Sequence, residues 1–148
     1  MKLGIKIQDF LTEKVHIAPL VIFRFIFGLI MAGSMLRFIL NGWVSDLYVN
    51  PSFHFTYYGF EWVRPLPELG MYLLFSGLIL SFLMQAIGLF YRFASLFSFL
   101  AFTYIELIDK TNYLNHYYFV SIVCLLLIFV PANRYWSVDV LRKPGLRA

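Results

Sequence analysis

The residues most suited to chemistry gather in one polar stretch between two apolar segments. The stretch contains Glu106, Asp109, Lys110, Thr111, Asn112, Asn115 and His116. Glu106 and Lys110 are four residues apart, in the favourable order for a helical ion pair, so a salt-bridged helix end is one interpretation. His116 offers another, because a neutral imidazole can accept a proton or a hydrogen bond from an acidic hydroxyl.

The surroundings of His116 leave its role open between structure and function. Asn112 or Asn115 is a candidate cap for a following helix, which would place His116 in or near the first turn. One reading has the imidazole hydrogen-bonded to nearby backbone at the membrane interface. The other has it acting on a hydroxyl group of a bound ligand.

Other classes of site find little support in the sequence. The single cysteine, Cys124, lies within an apolar run, so neither a disulfide framework nor a metal site is expected. The formal net charge is +4, but Lys and Arg are spread between apolar segments rather than gathered on one face. We therefore expect no nucleic-acid partner.

Amino-acid composition indicates which kind of secondary structure flanks the polar stretch. Hydrophobic residues make up 61% of the 148 residues and charged residues 14%, against about 45–50% and about 25% in soluble domains. The fold class predicted is all-α, a multi-pass integral membrane protein with about four transmembrane helices. The expected spans lie near 18–40, 70–90, 93–109 and 116–131, and the last two are short for a full crossing.

Charge distribution predicts how the spans are oriented. Lys and Arg are frequent before the first span and after the last, whereas residues 41–69 carry only Arg64 and many aromatic side chains. By the excess of positive charge in cytoplasmic segments, both termini are expected in the cytoplasm and the aromatic loop outside. The expected division is an interfacial segment 1–17, a membrane domain 18–141 and a cytoplasmic tail 142–148, in lipid of the cell (inner) membrane.

Arg24 is the one charged residue deep in an expected span. An ionised group there costs at least about 2.5 kcal/mol unless it faces protein or a wet cavity. An ion pair or snorkelling to water is one interpretation, and a role in a site is the other.

Several blocks of this sequence, in this order, resemble the vitamin K-dependent γ-carboxylase family, whose membrane part is called the HTTM domain. The two most specific are Asp-Lys-Thr-Asn-Tyr-Leu-Asn-His at 109–116 and Ala-Asn-Arg-Tyr-Trp-Ser-Val-Asp at 132–139. Shorter matches lie at 23–28, 64–67 and 88–92, and the block at 54–62 is similar to the bacterial branch. The resemblance covers roughly residues 18–141.

The resemblance implies hydroquinone epoxidation coupled to carboxylation of protein glutamate, a lyase-type activity. The cofactor implied is reduced vitamin K (a menaquinol-type hydroquinone), with oxygen and carbon dioxide as co-substrates. Carried over residue by residue, His116 matches the histidine that helps to activate the hydroquinone. Asn115 matches the neighbouring asparagine that contacts the quinone.

The resemblance extends only to the N-terminal part of the family. The family's essential lysine follows the Tyr-Trp-Ser-Val-Asp block, so we expect the complete reaction to need a C-terminal carboxylase portion. Two hypotheses follow: the quinone-binding part of a γ-carboxylase-like enzyme, or a non-enzymatic four-helix membrane module that binds quinone or a partner.

Overall fold

The computed structural model describes residues 16–147, and these form an all-helical chain. Its main helices are α1 (Ala18–Leu40), α2 (Glu68–Ile87), α3 (Tyr91–Ile108) and α4 (Asn115–Phe129). A short helix α5 (Val138–Arg142) follows. Single turns lie at Ser45–Val49, Lys110–Asn112 and Pro144–Leu146. The expected interfacial segment 1–17 lies almost wholly outside the described residues.

The four main helices confirm the expected fold class. Helices α1, α2 and α3 are long and apolar enough to cross a membrane, and α4 is a shorter apolar helix. At about 1.5 Å per residue, a helix of 15 residues is shorter than the hydrocarbon core of about 30 Å. Large apolar side chains such as Ile30, Leu73 and Leu126 are exposed on these helices, as expected for surfaces that contact lipid. The chain is an integral membrane protein.

Helix α2 coincides with the second expected span, near 70–90, to within three residues at each end. Helix α2 ends at Ile87, and Gly88 then adopts a left-handed conformation with φ of +69°. Phe90 is also left-handed, with φ of +44°, and α3 begins at Tyr91. Apolar composition continues across this reversal, and the left-handed conformations of Gly88 and Phe90 separate the two helices.

Consecutive helices pack side by side around an apolar core. Phe38, Phe75 and Phe102, from the first three helices, are buried in this core. At its centre α2 and α3 are also joined by polar contacts: the Ser81 and Ser98 hydroxyls are 2.9 Å apart, and Gln85 Nε2 donates to Ser95 Oγ at 3.0 Å. These hydrogen bonds between buried polar groups favour one register of the two helices, although the Gln85 Oε1 atom has no partner among the described residues.

Arg24 has a structural position at one end of the bundle. Its buried guanidinium donates from Nε to Ala86 O at 3.2 Å, from Nη1 to Ala132 O at 2.7 Å and from Nη2 to Trp136 O at 2.7 Å. Within residues 16–147 Arg24 forms no salt bridge, and its three hydrogen-bond partners are backbone carbonyls. The contacts join α1 to the end of α2 and to the segment after α4.

Asp139 completes the same end of the bundle. Its carboxylate accepts from the backbone N–H groups of Phe90 (2.9 Å) and Tyr91 (3.0 Å), and from Asn133 Nδ2 (3.1 Å). Burial raises the pKa of this carboxyl, but these hydrogen bonds and nearby Arg142 outweigh it, so the pKa is lowered. The block at 132–139 thereby caps the first turn of α3.

Candidate functional site

The polar stretch from Asp109 to His116 joins α3 to α4. Helix α3 ends at Ile108 because Asp109 takes an extended conformation, with φ of −145° and ψ of 115°. A single 3-10 turn follows, and α4 begins at Asn115. The Lys110 N–H donates to Phe55 O at 2.8 Å. The structure therefore brings the polar stretch against the aromatic loop, while the side of the membrane on which they lie stays a prediction.

Asp109 is the centre of the contacts that hold this joint. Its Oδ1 accepts from the Thr111 backbone N–H at 2.9 Å and from Thr111 Oγ1 at 2.7 Å, and its Oδ2 lies 3.2 Å from His54 Nδ1. Burial raises the pKa of Asp109, but the hydrogen bonds from Thr111, His54 and Phe55 outweigh it, so the pKa is lowered. An ionised Asp109 accepts a hydrogen bond from His54 Nδ1–H and so orients the His54 ring.

His54 is a polar residue that the site prediction from the sequence left out. Its Nε2 atom is buried and has no hydrogen-bond partner among the described residues. His54 and Asp109 are 55 residues apart along the chain, and no local pattern connects them. Only the fold of the aromatic loop reveals that they are paired.

Glu106 has a different partner from the one expected. The predicted ion pair with Lys110 is wrong: α3 ends two residues after Glu106, so Lys110 does not continue its helical face. The Oε2 atom of Glu106 accepts a short hydrogen bond from Ser121 Oγ of α4. Its Oε1 atom is buried without a partner in the described part of the chain.

Asn115 and His116 lie exposed in the first turn of α4. The residue before the helix is Leu114, which makes no side-chain cap, so the expected capping by Asn112 or Asn115 is wrong. The His116 ring packs edge-on against the Tyr117 ring, with centroids 4.6 Å apart. Within residues 16–147 the His116 side chain makes no hydrogen bond that would tie it to the protein. The roles of Asn115 and His116 stay predictions.

The cavities and grooves near the polar stretch differ greatly in volume. An internal cavity beside Tyr48, Glu106 and Asp109 measures only about 20 Å³, room for about one water molecule. Burial raises the pKa of the Tyr48 hydroxyl, assisted by nearby Tyr117 and the two carboxylates. This cavity cannot hold the bicyclic ring of the quinone that the family resemblance implies unless the surrounding residues rearrange.

Two open grooves are large enough for such a ring. The first, of about 430 Å³, is lined by aromatic side chains including Phe38, Trp43 and Tyr117. The second, of about 590 Å³, lies between α3 and α4 and includes Glu106 and Ser121. Concave, largely apolar surfaces of this size with a few polar groups are typical of small-molecule sites. The residues present therefore fit a lipophilic ring in the grooves.

Comparison with known protein families agrees with the all-helical membrane fold. A family model described as the HTTM domain matches residues 12–148, a range that includes the polar stretch and all of the main helices. No solved structure matches the chain at a significant level. The chain therefore belongs to the HTTM domain family, the membrane domain associated with the vitamin K-dependent carboxylase family.

Proposed function

We propose that this chain is the quinone-binding membrane portion of a vitamin K-dependent γ-glutamyl carboxylase-like protein of the cell membrane. The observation that carries the proposal is the HTTM match over residues 12–148, which includes the Asn115-His116 block. In this proposal both termini lie in the cytoplasm, and a C-terminal carboxylase portion works together with the chain.

Asn115 and His116 are the ligand contacts in this proposal. Their exposed position at the start of α4 leaves both side chains accessible from the membrane. His116 accepts the proton of a hydroquinone hydroxyl, and the Asn115 amide donates to a ring oxygen. The ring lies on the aromatic groove that includes Tyr117, the neighbour of His116.

The proposed chemistry also requires that bulk water be excluded, and the apolar surroundings of the groove meet this requirement. A reduced naphthoquinone held by Asn115 and His116 would supply, with oxygen, the strong base that carboxylation of a glutamate side chain requires. Such a base needs protection from bulk water. Aromatic side chains such as Phe38 and Trp43, together with the surrounding lipid, exclude water from the groove.

The binding test uses the chain in lipid nanodiscs with menadiol, kept reduced under anaerobic conditions. His116→Ala is expected to weaken binding about tenfold, the effect of losing one good hydrogen bond to the ligand. His16→Ala is the matched control, because His16 is also exposed but lies beside Tyr135. Equal affinity of the His116→Ala variant and the unmodified chain would contradict the assignment.

A second measurement separates the enzymatic hypothesis from the non-enzymatic one. The chain is co-expressed with a C-terminal carboxylase portion, and quinone epoxide formation is measured. Epoxide formation that depends on His116 supports the carboxylase-like function. Menadiol binding without epoxide formation supports a quinone-binding membrane module instead.

A further inference from the structure

The groove between α3 and α4 contains polar groups that the proposed quinone contacts do not use. We call it the Glu106 groove, and define it by Tyr57, Thr103, Glu106, Tyr118, Ser121 and Leu125. Its volume is about 590 Å³. Tyr118 and Leu125 are exposed on the outer surface of the bundle, so the groove is open to molecules dissolved in the membrane.

Two buried oxygen atoms on this groove have no partner among the described residues. They are Glu106 Oε1 and Thr103 Oγ1, and they share one face of α3 because they are three residues apart. A buried polar atom without a hydrogen bond is costly, and most such atoms in proteins are satisfied. A ligand hydroxyl that donates to Glu106 would remove this cost.

The hydrogen bond from Ser121 to Oε2 holds the Glu106 carboxyl group in place. It leaves Oε1 as the oxygen of this carboxyl group that has no partner within the described residues. The salt bridges of the described chain join His54 to Asp109 and Arg142 to Asp139, and neither includes Glu106. No basic side chain of residues 16–147 therefore competes for Oε1 through a salt bridge.

The lining favours a neutral aromatic molecule over a cation. Ring side chains from three parts of the chain, Tyr57, Phe99 and Tyr118, line the same groove as Glu106. Flat rings pack well against such side chains. A cationic ligand would also be attracted to a carboxylate, but its entry into the membrane is expensive.

This site is separate from the one that contains His116. Tyr118, Ser121 and Leu125 of α4 line the Glu106 groove. Successive residues of an α-helix are about 100° apart, so His116, two residues before Tyr118, points about 200° away. A ligand in the groove therefore contacts a different side of α4 from a ligand on His116.

We propose that the Glu106 groove binds a membrane-soluble aromatic molecule bearing a single hydroxyl group, of the phenol class. The hydroxyl donates to Glu106 Oε1, and the ring packs among the tyrosines. The site is additional to the Asn115-His116 contacts and does not depend on the carboxylase-like function.

The test compares 1-naphthol with 1-methoxynaphthalene, which has the same ring system but no hydroxyl donor. Binding to the chain in nanodiscs is measured by naphthalene fluorescence, with protein-free nanodiscs giving the contribution of lipid partitioning. Unmodified protein is expected to bind 1-naphthol at least tenfold more tightly than the methyl ether. Glu106→Gln is expected to reduce that preference about tenfold, whereas Glu61→Gln, at an exposed carboxylate of the aromatic loop, is expected to leave it unchanged.

Two further variants keep the proposal testable even if the Glu106→Gln variant does not fold. Leu125→Trp fills the groove from a partly exposed position and is expected to abolish specific binding. His116→Ala is expected to leave 1-naphthol binding unchanged. The proposal is overturned if both probes bind equally, if Leu125→Trp still binds, or if binding depends on His116 and not on Glu106; the last result leaves the proposed quinone contacts standing.

Discussion

At the scale of single residues, three charged side chains within residues 16–147 are held mainly by hydrogen bonds to backbone and polar groups. Arg24 donates to three backbone carbonyls. Asp139 caps α3 through two backbone N–H groups, and Asp109 binds Thr111 and positions His54. Burying a charged group costs less free energy when several oriented dipoles replace the water that solvated it.

Asp109 gives a prediction for the dependence of stability on pH. Its pKa is lowered in the folded protein, so its stabilising contribution is present above the unfolded-state pKa of about 3.9 and lost as pH falls through the folded value. Asp109→Asn is therefore expected to be less stable than the unmodified chain at pH 7. The difference should shrink below about pH 5.

Thermal unfolding in detergent micelles between pH 3 and pH 7, followed by circular dichroism, measures this difference. Asp46→Asn is the control, because Asp46 is an exposed carboxylate in the single turn that follows α1. The control variant should follow the unmodified chain at every pH. A gap between Asp109→Asn and the unmodified chain that stays constant down to pH 3 would contradict the role given to Asp109.

At the scale of secondary-structure elements, α1 and α2 approach each other closely at Gly28. A Cβ atom on Gly28 would come within 2.6 Å of Phe82 O and 2.8 Å of Ala86 Cβ. The two backbones approach each other here because neither residue 28 nor residue 86 has a large side chain. Small residues allow such contacts between helices in membranes, where dispersion forces provide much of the association energy.

Gly28→Ala is expected to lower stability by about 1–3 kcal/mol, because the added methyl group must push α1 away from α2. Gly33→Ala on the same helix is the matched control, since a Cβ atom there meets nothing within 4 Å. The control variant should be neutral or slightly stabilised by better helix propensity. Thermal unfolding in micelles measures both variants, and equal midpoints would refute the close packing.

At the scale of the whole molecule, the bundle has two unlike ends. Arg24 and Asp139 tie the helices together at one end, next to the basic C-terminal residues. At the other end, Asp109 and Lys110 contact the aromatic loop. In the orientation proposed from the charge distribution, the first end is the one in the cytoplasm.

Cysteine labelling in intact cells tests this orientation. Tyr58 is 99% exposed in the aromatic loop, and Gly145 is exposed in the C-terminal segment. A membrane-impermeant maleimide is expected to label Tyr58→Cys in intact cells and Gly145→Cys only after permeabilisation. The native Cys124 is buried and serves as the unlabelled background. The reverse pattern would contradict cytoplasmic termini.

The sequence alone predicted the features that depend on composition and local order. Apolar segments of sufficient length indicated the membrane helices, because the hydrocarbon core demands them. Ordered polar blocks such as 109–116 indicated the family. Such signals are carried by neighbouring residues and need no knowledge of the tertiary structure.

Only the tertiary structure decided which polar groups meet. His54 and Asp109 are far apart in the chain, and Glu106 binds Ser121 of the next helix rather than Lys110. The extended backbone at Asp109 breaks the helix that would have paired Glu106 with Lys110. Partners across helices are selected by packing and by the need to satisfy buried polar atoms, and a pattern along one segment contains neither.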